Sequence, residues 1–129
     1  YNRPAGQAKY RKQPRQIQIS VAYCQQLELL LSRLAADTIQ VYLIIPPEFD
    51  LHEFQYAPLK QYADSISSAR GIALFDFNEE YSRPAFEDPA YYSDNLHLNG
   101  KGSTIFSLAL RDAIMNWEER QIRLPKPSP

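Results

Sequence analysis

Apolar positions along this chain follow two rhythms, one suited to helices and one to buried strands. Val21, Cys24, Leu27, Leu31 and Leu34 recur three or four residues apart, within a run, QQLELLLSRLA, of strong helix formers. Ile17, Ile19, Val21 and Tyr23 also alternate as a strand would, but the longer helical spacing predicts a helix over about 20–36, with Ser20 as N-cap. QVYLII (40–45) is unbroken apolar sequence closed by Pro46 and Pro47. Such a run predicts a strand covered on both faces, as in a parallel sheet, which ends where the prolines cannot donate to a ladder. Asp50 and Glu53 have capping-box spacing, and Phe54, Leu59, Tyr62, Ala63 and Ile66 predict a helix restarted or kinked at Pro58. Arg70 and Gly71 close it, the glycine at C′. Ile72–Phe77 is a second buried strand, and 78–93 is a polar loop holding Tyr81, Phe86, Tyr91 and Tyr92. Ile105, Phe106, Ala109, Leu110, Ala113, Ile114 and Trp117 then form one wide apolar stripe, predicting a helix over about 101–119.

The order helix, strand, helix, strand, helix predicts an α/β fold with a parallel sheet. Residues 1–15 carry Arg3, Lys9, Arg11, Lys12 and Arg15 without an acid and read as a basic flexible lead-in. Residues 16–120 read as the folded α/β part, and 121–129, rich in proline, as a flexible tail. Composition is that of an ordinary globular protein, 44% hydrophobic and 22% charged, and the net charge of −1 gives the whole chain no nucleic-acid signature. No apolar run approaches the ~20 residues needed to span a bilayer, so no membrane insertion by this segment is expected. The lone Cys24 excludes an intrachain disulfide and reads as packing on the first helix. Met115 is the only methionine, so Tyr1 is expected to follow further upstream sequence. The open edges of so small a sheet make a homodimer an expected state.

The chemistry concentrates in YSDNLHLNGKG (92–102). Asp94 lies three residues before His97, close enough for its carboxylate to accept a hydrogen bond from Nδ1–H and leave Nε2 toward a crevice as a general base. Asn99 suits the N-cap of the following helix, and Gly100 and Gly102 permit a tight approach of backbone. Pro46, Pro47 and Glu48 follow the first strand, where α/β sheets bind ligands, and Asp76 ends the second, either as a site residue or as a loop cap. Pro47, Asn99 and Tyr92 are candidate substrate-binding residues beside the Asp94–His97 pair. His52 reads as a surface residue. NGKGST (99–104) departs from the phosphate-loop pattern, no metal-ligand spacing occurs, and no cofactor is expected.

DNLHLNGKG (94–102) resembles the last conserved block, D-x-x-H-L-N-x-x-G, of the SGNH (GDSL-type) hydrolases. The elements over residues 20–119 follow the C-terminal half of that family in order. The resemblance implies part of a three-layer αβα, flavodoxin-like fold with a parallel sheet, Asp94 as triad acid and His97 as general base. Gly-Asp-Ser and Gly-x-Asn-Asp do not occur here. The nucleophilic serine and the oxyanion-hole residues are therefore expected from a missing N-terminal segment, and these residues alone are expected to be inactive. The element order also resembles the polysaccharide O-acylation (DltD-like) branch, which implies an acyl-ester or polysaccharide substrate and an extracytoplasmic, cell-envelope location, with a cytoplasmic location as the alternative. The alternative is a non-catalytic α/β binding or interaction module that uses the tyrosine-rich loop.

Overall fold

The computed structural model describes residues 19–49, 53–94 and 96–123. The chain is a mixed α/β structure: helix α1 (Val21–Ala36), strand β1 (Tyr42–Ile45), helix α2 (Glu53–Arg70), strand β2 (Ala73–Asp76), 3-10 turns at Arg83–Phe86 and Pro89–Tyr91, and helix α3 (Gly100–Arg123). β1 and β2 pair in parallel, from Tyr42 opposite Ala73 to Ile45 opposite Asp76. Parallel strands cannot be joined by a tight turn, and α2 fills the crossover. Both strands are shorter than the apolar runs that contain them. The basic lead-in, the Asp50 end of the capping box and His52 lie outside the described residues.

The pleat sends alternate side chains to opposite faces of the sheet. On one face the Tyr42 ring meets Phe75 at 5.8 Å and Trp117 of α3 edge-on at 5.6 Å, and its hydroxyl donates to Glu118 Oε1 at 2.6 Å. On the other, Leu43, Ile45 and Leu74 line an apolar cleft with Leu27 of α1 and Leu59 and Ile66 of α2. The Arg70 guanidinium pairs with Glu28 and the Tyr62 hydroxyl donates to the Cys24 carbonyl at 3.3 Å, tying α1 to α2. Leu31, Ile45, Ile66, Ala73, Phe77 and Phe86 are buried, and the Phe77, Phe86 and Phe106 rings pack edge to face. Edge-to-face rings add about 0.5–1.5 kcal/mol per pair to the area they bury.

Along α3 every residue of the predicted stripe is half-buried and the positions between them are exposed. The helix runs on to Arg123, past the expected end near 119, so the first residues of the expected tail, Gln121–Arg123, are helical. Nothing in Gln-Ile-Arg breaks a helix, and the first proline comes only at Pro125. In α1, Leu31 is buried and Cys24, Leu27 and Leu34 are half-buried, but Val21 is 71% exposed. It faces an open surface cleft beside Tyr62 instead of the core expected for it. Ser20 stands at the N-cap with extended backbone, yet its side chain makes no capping bond. Helix α2 passes through Pro58 as one helix and closes at Gly71, whose φ of +63° lets Ile72 N–H return to the Ser67 carbonyl at 3.1 Å. The same closure ends α1, with Thr38 in the left-handed position at φ 57° and Ile39 N–H on the Leu34 carbonyl at 2.9 Å.

Candidate active site

Where β1 and β2 end, one buried side chain joins their exits. Asn78 Nδ2 donates to the Pro46 carbonyl at 2.7 Å, its Oδ1 accepts Glu48 N–H at 2.8 Å, and its own N–H donates to Asp76 Oδ1 at 2.9 Å. The second Asp76 oxygen accepts the Tyr56 hydroxyl, and burial together with that bond pushes the Tyr56 phenol well above its ordinary value. One oxygen of Asp76 thus holds the loop and the other ties it to α2, and of its two sequence readings this geometry matches the cap.

The histidine loop is built by Asp94 and Asn99. Tyr92 bridges Leu98 in antiparallel fashion, Ser93 N–H donates to the His97 carbonyl at 2.8 Å, and Asn99 N–H donates to the Tyr91 carbonyl at 2.8 Å. Within this turn Asp94 Oδ1 accepts the backbone N–H groups of Leu96 and His97, each at 2.8 Å, and Oδ2 lies 2.8 Å from His97 Nδ1. The Leu96 N–H, then the His97 ring and the His97 N–H, hold the Asp94 carboxyl well below its usual range, at about 2. An ionised carboxylate can only accept, so Nδ1 carries the hydrogen and Nε2 of the neutral ring carries the lone pair. The ring is 75% exposed, and among the described residues Nε2 has no hydrogen-bond partner.

Asn99 is the N-cap the spacing predicts. Its Oδ1 accepts Lys101 and Gly102 N–H at 3.0 Å each, while Nδ2 donates to the Ala90 carbonyl at 2.7 Å and the Tyr92 carbonyl at 3.3 Å. With all its donor and acceptor sites in use, it shapes the loop and offers no free atom to a substrate. Gly102 is buried where a Cβ would overlap the Tyr91 carbonyl oxygen and stand 2.9 Å from Leu98 Cδ2. The block from Asp94 to Gly102 is therefore one physical unit: an acid that folds a turn, a cap that starts a helix, and a glycine that lets the helix touch the turn.

Comparison of the chain with protein-family models, curated proteins and solved structures finds no match. The site rests on its own geometry. Pro47 is buried and, with Glu48, Phe49, Asn78, Arg83, Phe86 and Glu87, lines a cleft of about 240 Å³ at the strand ends. The Tyr92 ring packs on Phe49 at 5.3 Å, which brings the histidine loop against this cleft. The Tyr92 hydroxyl is buried without a hydrogen-bond partner among the described residues. Burial pushes its phenol up, opposed by the Arg83 charge and aided by Glu48. Asn78 and Arg83 carry this region and were not singled out by the sequence. Asn78 follows the second strand directly in Asp-Phe-Asn, the one local hint of a loop-fixing amide. Among the described residues no three His, Cys, Asp or Glu side chains converge on a metal site, and no helix is long and apolar enough to cross a membrane.

A pH titration follows from the Asp94 geometry. Its folded value lies below the ordinary 3.8, so its contribution to the turn is full above that value and is lost as pH falls through about 2. Amide-exchange protection at Leu96 and His97 is expected to fall over that window in the parent chain. Asp94→Asn, which has no carboxyl proton to take up, loses that pH dependence. Protection that stays constant down to pH about 2 would count against the assignment.

Proposed function

We propose that this chain supplies the general base and its carboxylate to a serine esterase or acyltransferase of the SGNH type. The reaction is acyl-ester hydrolysis or transfer, with a polysaccharide as a candidate carrier of the ester. The observation that carries the reading is the exposed His97 ring held at Nδ1 by Asp94, with Nε2 unengaged among the described residues. A serine hydroxyl set at Nε2 gives up its proton as its oxygen attacks the acyl carbon. The imidazolium, steadied by Asp94, returns that proton to the leaving alkoxide as the ester C–O bond breaks. Water or an acceptor hydroxyl then repeats the sequence on the acyl-enzyme.

The serine comes from outside these residues. Ser32, Ser67, Ser82 and Ser107 donate to main-chain carbonyls, and among the described residues no serine hydroxyl is bonded to His97. In this reading the β1–β2 pair is the C-terminal part of a three-layer, flavodoxin-like α/β domain. The exposure of Leu29 and Leu30 on α1, Ile44 on β1 and Leu108 and Met115 on α3 supports it, since further layers would cover such side chains. The experiment is covalent labelling of a polypeptide that carries these residues together with upstream sequence. A fluorophosphonate is expected to modify one serine in the folded protein and none after heat denaturation. A folded, extended protein that takes no label would leave the non-catalytic binding module as the better account.

A further inference from the structure

Arg83 is half-buried, and among the described residues its guanidinium has neither a hydrogen bond nor an ion pair. A guanidinium carries five donors, and its strong bonds are those to carboxylates and other anions. Arg70 in this same chain makes such a bond to Glu28. Arg83 instead lines the cleft at the strand ends, where Glu48 and Glu87 also stand, neither within ion-pair distance of it. A cation and two carboxylates held apart around a cavity, with the Phe49 and Phe86 rings in its wall, present donors, acceptors and an apolar surface at once. That combination fits a ligand with one anionic group on a hydroxyl-rich carrier. The cleft volume of about 240 Å³ suits a small fragment of substrate and not a large molecule.

We infer that this cleft is a binding subsite for an acidic sugar unit, its carboxylate or phosphate received by Arg83. The planar guanidinium takes two anionic oxygens side by side. Glu48 and Glu87 accept hydrogens from the carrier's hydroxyls, and the phenylalanine rings meet its C–H faces. The cleft adjoins the histidine loop through the Phe49–Tyr92 contact, so the bound unit is the carrier of the ester, a placement that rests on the function proposed above. Anion binding itself does not depend on His97 acting as a base. The two ideas can therefore fail separately.

The test is a binding measurement on the full 129-residue chain, followed by amide chemical shifts. Glucuronate and glucose 6-phosphate are titrated as the carboxylate and phosphate arms, with glucose as the neutral one. Saturable shifts clustered at 48, 49, 78, 83, 85–87 and 92 are expected with at least one anion, and glucose is expected to bind at least about tenfold more weakly. The arm that binds more tightly identifies the anion. Arg83→Gln is expected to weaken that binding by about tenfold or more, and Arg83→Lys, which keeps the charge, by less. Should the glutamine variant lose its dispersed spectrum, salt decides: affinity for the anion falls as ionic strength rises if a charge receives it. No saturable shift with either anion, equal binding of glucose, or variants and salt that leave the affinity unchanged would overturn the assignment.

Discussion

Replacing His97 with alanine, in an extended protein that holds the nucleophilic serine, lowers turnover of an acyl ester by about 10²–10⁴-fold and leaves the fold intact. The fold is spared because the ring is largely exposed and, among the described residues, its only side-chain partner is Asp94. Removing it opens no cavity, and the backbone bonds of the turn run through the His97 N–H and carbonyl, which alanine keeps. Asp94→Asn is the sharper companion. The asparagine oxygen can still accept the Leu96 and His97 N–H groups, so the turn persists. Its amide can also donate to Nδ1, which moves the ring hydrogen to Nε2 and removes the lone pair that takes the serine proton. Loss of turnover in both variants, with unchanged circular dichroism, is the expected pair of results, measured on a chromogenic ester. The Asp94 carboxylate itself takes up a proton only as pH approaches about 2, so it stays the acceptor for the ring across the neutral range. Full turnover in His97→Ala would assign the pair to loop structure alone.

What the sequence made legible divides along a physical line. Local regularities were readable: the stripe from Ile105 to Trp117 matches the half-buried positions of α3 one for one, and the two predicted strands became paired parallel strands. Gly71 announced its left-handed turn, while Thr38, which makes the same turn, did not, because β-branched residues rarely adopt that conformation. The Asp94–His97 contact was readable because both partners lie within one turn of backbone. Contacts that the fold creates between distant positions were not. Asn78 reaches back to Pro46 and Glu48, and Tyr56 meets Asp76 twenty positions on. Arg83 looks like any loop cation until strand ends and 3-10 turn enclose it. Val21 failed for the complementary reason: periodicity says which face of a helix is apolar and not how far along that face a neighbour reaches.

Gly102→Ala is expected to cost about 3 kcal/mol or more, the upper range for forcing extra volume into a packed site. That is a large share of the roughly 5–15 kcal/mol that holds an ordinary domain folded. The added methyl would overlap a backbone carbonyl, that of Tyr91, and backbone cannot rotate away as a flexible side chain can. The Tyr91 carbonyl is also fixed in place by Asn99 N–H at 2.8 Å, and Asn99 in turn caps the helix through Gly102 N–H at 3.0 Å. Relief of the overlap thus pulls apart the cap, the Tyr92–Leu98 bridge and the seat of the histidine loop together. Two glycines of the same chain calibrate the result. A Cβ at Gly100 meets open space within helix α3, so Gly100→Ala is expected to be neutral or stabilising, by up to about 1 kcal/mol. Gly71 also has room but sits at φ +63°, so Gly71→Ala carries only the left-handed penalty of about 1–2 kcal/mol. Chemical denaturation of the three variants should rank them Gly102, Gly71, Gly100 from most to least destabilised. A Gly102→Ala protein as stable as its parent would mean that α3 does not touch the Tyr91 carbonyl. The glycine of the D-x-x-H-L-N-x-x-G block would then need another explanation. Because the loop and not the core absorbs the strain, Gly102→Ala should also weaken any activity that depends on His97 well below its denaturation midpoint, whereas Gly71→Ala, in the turn between α2 and β2, should lower stability alone.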